Sequence, residues 1–414
     1  MAKNIKKELL DIYLAALGEV NGRRAVSNYF LHHPRGAGTM PAIVAIGKAA
    51  QAMMLGACDA FGQEAVDQGL IITKSDHLNC SVMESMGCVG LESGHPLPNE
   101  KSLVAGDMLL EFLSKQPVDQ PLLFLISGGA SSLVEVLCDG VSLDELARVN
   151  SWLLASGLPI ESINCVRRRL SKIKGGGLLR FTGSRPVEAL FISDVQDNDP
   201  AVIGSGLLMA SDSISTDFDG MVLPDWLQAL TEKCDVSQPV SQTDMSLQVV
   251  ANLDMACRAA VKKAEELGYA TVRHHEFLCG DAEDAGKKIA SELKDGAVGI
   301  HIWGGETTVC LPLNPGCGGR NQHLALAAAQ EIAGCDDLYL LAVGTDGSDG
   351  TTSDAGALVD GGTIARAAIE SYDSADCLRR ADAGSLLAAS GDLINTGPTG
   401  TNVMDLVIGL KLPQ

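Results

Sequence analysis

The chain has 414 residues, of which 46% are hydrophobic and 20% are charged. This length predicts two or three domains, and the composition is that of a globular protein rather than a disordered one. There are 31 Lys and Arg residues against 52 Asp and Glu residues, a net charge of −21, and aromatic residues make up only 4%. So acidic a chain repels nucleic acid and anionic membranes, and we expect neither as a partner. So acidic a protein can still bind a small anion, but only where basic residues are grouped together locally.

The cysteines and the N-terminal residues indicate in which cellular compartment the protein is located. The twelve cysteines are scattered, and no two of them have C-x-x-C spacing. This pattern predicts free, mostly buried thiols in a reducing compartment rather than a zinc or redox site. Charges interrupt the apolar residues at the N-terminus, and no apolar run of about 18 residues occurs, which argues against a signal peptide and a membrane span. We therefore expect a cytoplasmic monomer or homodimer whose first residues form an amphipathic helix.

Short apolar runs alternate with segments of helical periodicity along the whole chain. This alternation predicts the α/β class, with two α/β/α layered domains, mainly parallel or mixed sheets and an interdomain active-site cleft. A polar stretch over 212–246 predicts a boundary near residue 235, between a Rossmann-like domain (1–235) and a second α/β domain (236–414). The predicted strands are 42–46, 69–73, 122–126, 188–193, 247–251, 298–303, 338–343 and 403–410. The predicted helices are 49–61, 102–113, 143–154, 161–172, 254–267, 282–293, 322–332 and 362–370.

Two loops in the first half carry residues suited to binding an anion. Lys48 follows Gly47 at a strand-to-helix turn, where the helix dipole disfavours a cation, so its place there indicates a function rather than a chance surface lysine. The turn is not a Walker A loop, because Ala49 stands where Ser or Thr would bind Mg²⁺. The second loop is either a tight turn or an anion-binding nest built from glycines and serines. Its residues are Ser127, Gly128, Gly129, Ala130, Ser131 and Ser132.

A basic segment and an acidic loop follow. The segment 162–187 contains seven Lys or Arg residues and no acid, and Arg167 and Lys174 are among them. It predicts either an anion site or a solvated helix face. Asp194 and Asp199 come after the next predicted strand, and such carboxylates are ligands that Mg²⁺ prefers, although aspartates are also common in turns.

Four polar loops stand in the second half. Arg320 precedes a predicted helix, where the dipole again disfavours a cation, and its planar fork suits a phosphate or a carboxylate. The Gly- and Asp-rich loop over 344–356 lacks the ligand spacing of an EF-hand. Anion cradles, isolated cations at strand ends and grouped carboxylates together indicate phosphoryl transfer with Mg²⁺. The residues singled out in these loops are Glu306, Arg320, Asn321, Asp346, Asp349, Thr399 and Asn402.

Taken together, these segments resemble the glycerate 2-kinase family, whose carboxyl-terminal part is called the MOFRL domain and some of whose members are named hydroxypyruvate reductase. The resemblance covers nearly the whole chain. It rests on nine motifs in one order, which makes it specific. They are GKA at 47–49, GHP at 94–96, SGGASSL at 127–133, KGGG at 174–177, SDV at 193–195 with DPAVI at 199–203, GETTV at 305–309, GGRNQ at 318–322, GTDG at 344–347 and TGPTGTN at 396–402.

The resemblance implies phosphorylation of the 2-hydroxyl of D-glycerate, dependent on ATP and Mg²⁺, to give 2-phosphoglycerate. It implies that Lys48 and Arg320 are catalytic, and we add Asp194 as a third candidate. The second domain would be the MOFRL domain. The candidate magnesium ligands are Asp194, Asp199, Asp346 and Asp349. The candidate substrate- and phosphate-binding residues are Ser127, Gly128, Gly129, Ala130, Ser131, Ser132, Arg167, Lys174, Glu306, Asn321, Thr399 and Asn402.

Three alternatives stay open at this stage. A hydroxypyruvate reductase needs a dinucleotide site, and no strand-coupled G-x-G-x-x-G occurs in the chain. A non-catalytic sugar-phosphate binding protein leaves the grouped carboxylates unexplained. A kinase of a related small hydroxy acid, as in tartrate metabolism, is the closest alternative. It gains weight from two departures from the family pattern, Gln-Asp-Asn at 196–198 in place of Pro-Gly-Asp, and Met404 in place of Asn.

Overall fold

The computed structural model describes residues 5–35, 38–156, 158, 160–209, 223–234 and 244–413. The chain divides into two compact units, one of Gly22–Val250 and one that joins Met1–Asn21 to Ala251–Gln414. The domains predicted from the sequence are 1–235 and 236–414. The observed units differ from them because the first helix, α1 (Ile5–Val20), belongs to the C-terminal unit. Residue 235, where the boundary was predicted, lies outside the described residues, so the predicted ranges stay a prediction.

The first unit contains a sheet with the topology of doubly wound α/β domains. Its strands are β1 (Ala42–Ile46), β2 (Leu70–Lys74), β3 (Val89–Ser93), β4 (Leu122–Ile126), β5 (Val187–Ile192) and β6 (Met245–Ala251). They lie in the order β3-β2-β1-β4-β5-β6, and the pairs among β1 to β5 are parallel. In this order the chain reverses its direction across the sheet between β1 and β4. The five strands predicted in this part of the chain are confirmed to within two residues at each end.

The central strands of this sheet explain the continuous apolar runs of the sequence. Every residue of β1 and β4 is buried, as expected for parallel strands covered on both faces. The surrounding core includes Ile46, Ile72 and Phe124. The helices of this unit are α2 (Gly22–His32), α3 (Ala50–Phe61), α4 (Gln63–Val66), α5 (Cys80–Met86), α6 (Glu100–Lys115), α7 (Ala130–Leu133), α8 (Leu143–Ala155), α9 (Ile160–Arg169) and α10 (Asp225–Glu232).

The second unit contains a mixed sheet in the order β11-β10-β9-β12-β8-β7. Its strands are β7 (Thr271–Arg273), β8 (Gly299–Gly305), β9 (Leu338–Gly344), β10 (Gly356–Asp360), β11 (Leu393–Ile394) and β12 (Asp405–Lys411). β12 runs antiparallel to both β8 and β9, so its first residue, Asp405, lies opposite Gly305 and Gly344, which end those strands. The helices are α11 (Leu253–Glu266), α12 (Ala282–Asp295), α13 (Arg320–Glu331), α14 (Thr363–Ile369), α15 (Ser374–Arg379) and α16 (Ala383–Ser390).

Helix α1 confirms the amphipathic helix predicted at the N-terminus. It buries Leu9, Ile12, Tyr13, Ala16, Leu17 and Val20 and packs against α11. The Tyr13 hydroxyl donates a hydrogen bond of 2.8 Å to the carbonyl of Gly344 at the end of β9. α1 thus belongs to the edge of the second sheet where β9 ends.

All twelve cysteines are free. The expectation that most of them are buried is wrong, because five are buried and four are exposed. The exposed ones are Cys80, Cys279, Cys310 and Cys317. Among the described residues, no helix combines the length and the apolar character needed to cross a bilayer.

Candidate active site

In the first unit, the loops after β1 and β4 lie side by side at the carboxyl edge of the sheet. The Lys48 N–H donates to the Gly128 carbonyl, and the Ala49 N–H donates to Ser127 Oγ, both at 3.0 Å. Ligands of doubly wound sheets bind in the crevice where the strand order reverses, which here is between β1 and β4. The structure therefore brings Lys48 to the loop over 127–132, at the place where this fold binds ligands.

Gly47 allows the close approach of these two loops. Its φ is +129°, and a Cβ on it would lie 2.2 Å from Ser127 Oγ and 2.5 Å from the Ser127 carbonyl oxygen. An L side chain neither adopts this backbone without strain nor fits this space. The Ala49 N-cap has no side-chain cap of its own, so the Ser127 hydroxyl supplies an acceptor at the start of α3.

We expect the Gly47→Ala variant to lose about 3 kcal/mol or more of unfolding free energy, because backbone strain and steric overlap add together. Urea denaturation measures this loss. The matched control is Gly62→Ala, since Gly62 has φ +87° and ψ 165° and a methyl group there would have nothing within 4 Å, and strain alone costs about 1–3 kcal/mol. Equal losses in the two variants would show that the contact with Ser127 is unimportant.

Gly129 is the point on which the loop over 127–132 and its neighbours converge. Its φ is +85°, and a Cβ on it would lie 3.1 Å from His95 Cδ2 and 3.4 Å from Lys48 Cγ. The Ser131 hydroxyl of this loop lies 2.7 Å from the hydroxyl of Ser205, which comes from the turn after β5. The predicted anion-binding loop therefore has an imidazole and a lysine side chain beside it. His95, which the sequence placed only within a motif, joins this group.

The basic segment 162–187 finds its partners elsewhere in the first unit. The side chain of Lys174 is only 3% exposed, and its Nζ pairs with the buried carboxylate of Glu135. Arg167 Nε donates to Asn150 Oδ1 at 2.9 Å, and burial lowers the pKa of this guanidinium. Both cations therefore have contacts inside the protein, and their roles at a phosphate stay predictions.

Two acidic candidates lie beyond β5. Asp194 comes two residues after the end of that strand, at the same carboxyl edge as Lys48, because β5 is parallel to β4 and β4 to β1. Asp199 Oδ1 accepts the Ala201 N–H at 2.8 Å and so closes a turn. This edge of the sheet thus carries a cation and a carboxylate, the elements that phosphoryl transfer requires.

In the second unit, Arg320 is the first residue of α13 and is held by two carboxylates. Its Nε and Nη2 donate to Asp405 Oδ2 and Oδ1 at 2.5 and 2.9 Å, and Nη1 lies 2.5 Å from Glu306 Oε1. Burial by itself would lower the pKa of Arg320, but the negative charges around it, Asp405 first, raise the pKa above its usual value. The Asp405 side chain is 3% exposed and that of Glu306 is 41% exposed. The guanidinium is therefore fixed on its buried side and accessible on the side of Glu306.

Asp349 holds the start of α13. Its Oδ1 accepts the Asn321 N–H at 3.1 Å, and its Oδ2 accepts the Gln322 N–H at 2.8 Å. The N-cap residue, Gly319, offers no side chain, and a Cβ there would lie 2.4 Å from Asp349 Oδ1. The Asp349 carboxylate thus replaces the missing cap and fixes the backbone that carries Arg320. Its role as a magnesium ligand stays a prediction.

Burial raises the pKa of Asp349 to about 7, because lost hydration outweighs the two N–H donors and Arg320, which favour the charged form. An unfolded aspartate has a pKa of about 3.9. The folded state therefore binds the proton more tightly, and this residue lowers the unfolding free energy as the pH rises from about 4 to about 7. We expect Asp349→Asn to flatten that part of the profile in urea denaturation. Asp281→Asn, at the exposed N-cap of α12, is the control, and an unchanged slope in Asp349→Asn would contradict the assignment.

The remaining candidates lie in two loops that are tied together where β9 ends and β12 begins. Thr345 Oγ1 donates to the Met404 carbonyl at 2.6 Å, and Thr399 Oγ1 donates to the Thr345 carbonyl at 2.5 Å. Asp346 follows Thr345 directly, and Asn402 is buried just before β12. The structure therefore places Asp346, Thr399 and Asn402 at the sheet edge where Asp405 holds Arg320.

The sequence analysis did not single out Asp405. A signal for it exists, because Asp405 is a carboxylate at the first position of a mainly apolar strand, three positions after the last glycine-rich motif. Its partner cannot be read from the sequence, since Arg320 is 85 positions away. Among the residues that the structure describes, no group of three His, Cys, Asp or Glu side chains is arranged to hold a metal ion.

Comparison with known proteins places the chain in a family. Residues 8–224 match a domain of unknown function, DUF4147, and residues 299–405 match the MOFRL family. The chain is 35% identical to the D-glycerate 2-kinase of Thermotoga maritima, over 89% of this chain and 90% of that protein. The chain belongs to the glycerate 2-kinase family. It is also 31% identical to the glycerate 2-kinase of Pyrococcus horikoshii, over 89% of this chain and 86% of that protein.

A solved structure of the glycerate 2-kinase family supports the fold. The crystal structure of the glycerate kinase of Thermotoga maritima matches this chain with a TM-score of 0.83 and 32% identity, covering 99% of each chain. The predicted fold class, α/β with parallel and mixed sheets, is confirmed. The family resemblance stated from the nine motifs is confirmed as well.

Proposed function

We propose that this member of the glycerate 2-kinase family transfers a phosphoryl group from ATP to the 2-hydroxyl of D-glycerate and releases 2-phosphoglycerate. The observation that carries the proposal is the 35% identity to a D-glycerate 2-kinase over 89% of the chain. The placement of Lys48 and Arg320 supports it, because each cation follows a glycine at the start of a helix, in a loop rich in polar residues.

Phosphoryl transfer depends on positioning and on neutralising the charge of the moving group. Asp405 occupies Nε and Nη2 of Arg320, whereas Nη1 faces the half-exposed Glu306. We assign Nη1 to a phosphoryl oxygen, which contacts it when Glu306 moves aside. The Asp405 pair keeps the guanidinium plane in place during this exchange. Lys48 supplies the second positive charge.

The loop over 127–132 is assigned to an anionic group of the substrates. Its Gly129 is flanked by Lys48 and His95, so a carboxylate or phosphate here meets a cation, an imidazole and serine hydroxyls. These neutral and charged donors together suit a small anion. A hydroxy acid such as glycerate offers a carboxylate of this size.

The resemblance implies magnesium, and the residues present are compatible with it. Mg²⁺ is usually held by one or two carboxylates together with substrate phosphates rather than by a full protein cage, so the lack of a three-ligand group among the described residues fits that mode. When bound, Mg²⁺ would neutralise phosphate charge. Asp194 is the first candidate, because Asp349 uses both of its oxygens on α13. Asp199 and Asp346 each accept the N–H two residues on through Oδ1, so each is a candidate through its other oxygen.

The test is ADP release by the full chain with ATP and Mg²⁺, using D-glycerate, L-glycerate, tartrate and hydroxypyruvate as acceptors, with phosphorus NMR of the product. Turnover of D-glycerate to the 2-phosphate is the expected result. Turnover of tartrate instead would support the related hydroxy-acid kinase. NADH oxidation with hydroxypyruvate, without ADP release, would show that the protein is a reductase and not a kinase. A cytoplasmic location and a monomeric or homodimeric state remain predictions.

A further inference from the structure

The second unit contains a cavity that none of the assignments above uses. Its volume is about 390 Å³, and it lies between the chain over 274–281, helix α12 and the β8 residue Trp303. Pockets for small molecules begin at about 300 Å³ and combine apolar walls with a few polar groups. This cavity has both, because Phe277 and Ile289 line it together with Asp284, Lys288 and Glu292.

One wall of the cavity is a flat aromatic surface. The rings of His274 and Trp303 are stacked, with centroids 4.2 Å apart and an angle of 12° between their planes. Trp303 is 3% exposed, whereas the side chain of His274 is 24% exposed. Trp303 covers one face of the imidazole, and a planar ligand can extend the stack on the other face. Such stacking is favourable for any heteroaromatic base.

Hydrogen bonds hold this wall in place. His301 Nε2 donates to the Ala297 carbonyl at 2.8 Å, and His301 Nδ1 lies 3.1 Å from His274 Nε2. Trp303 Nε1 donates to Glu292 Oε2 at 3.0 Å. Burial lowers the pKa of His274, which favours the neutral ring. The wall is therefore ordered in advance, which lowers the entropy lost on binding a planar ligand.

The polar groups of the cavity suit a sugar better than a phosphate. The carboxylates of Glu276, Asp284 and Glu292 line it, and Lys288 Nζ lies 3.0 Å from Glu276 and 3.9 Å from Glu292. Carboxylates accept hydrogen bonds from ribose hydroxyls in nucleotide sites. The same negative charges repel a phosphate chain and direct it out of the cavity.

The cavity is linked to the Arg320 site by the chain that forms its wall. Leu278 lines the cavity, and its carbonyl accepts the N–H of Glu306 at 2.8 Å. Glu306 in turn pairs with Arg320 Nη1. Two contacts therefore connect the cavity wall to the guanidinium that we assign to the phosphoryl group.

We propose that this cavity binds the base and ribose of the nucleoside triphosphate, with the phosphates directed to Arg320. This inference rests on the proposed function, because it names the site of the phosphoryl donor. It assigns the nucleotide base to the unit of Met1–Asn21 with Ala251–Gln414. The loop over 127–132 is then left for the hydroxy acid.

The test compares ADP with inorganic tripolyphosphate, which has phosphates but no base, by calorimetry on the full chain. His274→Ala removes the stacking ring, and we expect the Kd for ADP to rise about tenfold, the weak end of what one base stack contributes. The Kd for tripolyphosphate should stay unchanged. Asp284→Ala removes a carboxylate assigned to the ribose and should weaken ADP in the same selective way. In turnover, both variants should raise KM for ATP and leave KM for D-glycerate unchanged.

Glu283→Ala is the matched control, since Glu283 is in the same turn of α12 as Asp284 but does not line the cavity. Should His274→Ala fail to fold, the pair Asp284→Ala and Glu283→Ala decides by itself. ADP binding as tight as wild type in the folded variants overturns the inference, even if D-glycerate is phosphorylated. If the variants selectively lose ADP binding while the wild-type protein does not turn over D-glycerate, the inference is supported and the proposed function is refuted.

Discussion

The Arg320→Ala variant is expected to lose about 10²- to 10³-fold in kcat for D-glycerate, the usual effect of removing one preorganised charged or hydrogen-bonding group from a transition state. The guanidinium is fixed by two hydrogen bonds from Nε and Nη2 to the buried Asp405, so no rearrangement of its charge is needed during the reaction. Steady-state kinetics with saturating ATP and D-glycerate measures the loss.

Controls for this variant must separate catalysis from stability. Asp405 is left buried without its cation in Arg320→Ala, and an uncompensated buried charge costs about 3–5 kcal/mol, so kcat is measured well below the melting temperature of each variant. Arg320→Lys keeps the charge without the planar fork and should recover only part of the rate. Arg379→Ala, which alters an exposed pair with Asp376, should keep full activity. Wild-type kcat in folded Arg320→Ala would remove Arg320 from the mechanism.

Lys48→Ala is expected to reduce kcat by a similar factor, about 10²- to 10³-fold. Its ammonium is placed at a helix start where the dipole gives it no stabilisation, and its side chain lies against Gly129 in the predicted anion-binding loop. Stopped assays of ADP formation measure the effect. The loss should appear in kcat more than in KM if the charge acts on the moving phosphoryl group.

The matched control for Lys48 is Lys115→Ala, since Lys115 is exposed and pairs only with its helix neighbour Glu111 among the ion pairs of the described residues. Lys48→Arg retains the charge but changes its shape, and we expect an intermediate rate. A raised KM for D-glycerate with unchanged kcat in Lys48→Ala would move this residue from catalysis to ground-state binding.

The strands that the sequence predicted well are the buried central ones. β1 and β4 were predicted at their observed limits, because a continuous apolar run of five residues between polar segments is typical of a strand buried on both faces. β3, β7, β10 and β11 were missed. β3 contains Gly90 and Glu92, and β10 begins with Gly356 after an acidic loop, so neither shows a clear apolar run. β7 and β11 have only three and two residues, too few to form a pattern.

The candidate site was predictable as separate loops but not as an assembly. The sequence identifies Lys48, the loop over 127–132 and Arg320 because their chemistry is local and unusual at a strand end. It does not identify their partners, since Glu135 is 39 positions from Lys174 and Asp405 is 85 from Arg320. Only the register of the strands and the packing of the helices on them bring such residues together.

The second unit is discontinuous in sequence, and this affects both its folding during synthesis and its expression as a fragment. α1 is synthesised before its partners, α11 and the end of β9, which follow only after the whole of Gly22–Val250 has left the ribosome. Until then its apolar face, with Leu9 and Ile12, lacks the surface that covers it. An expression fragment cut to the MOFRL match, 299–405, omits both α1 and β12 beyond its first residue. The shortest clone containing the whole unit joins residues 1–21 to 251–414 through a new linker.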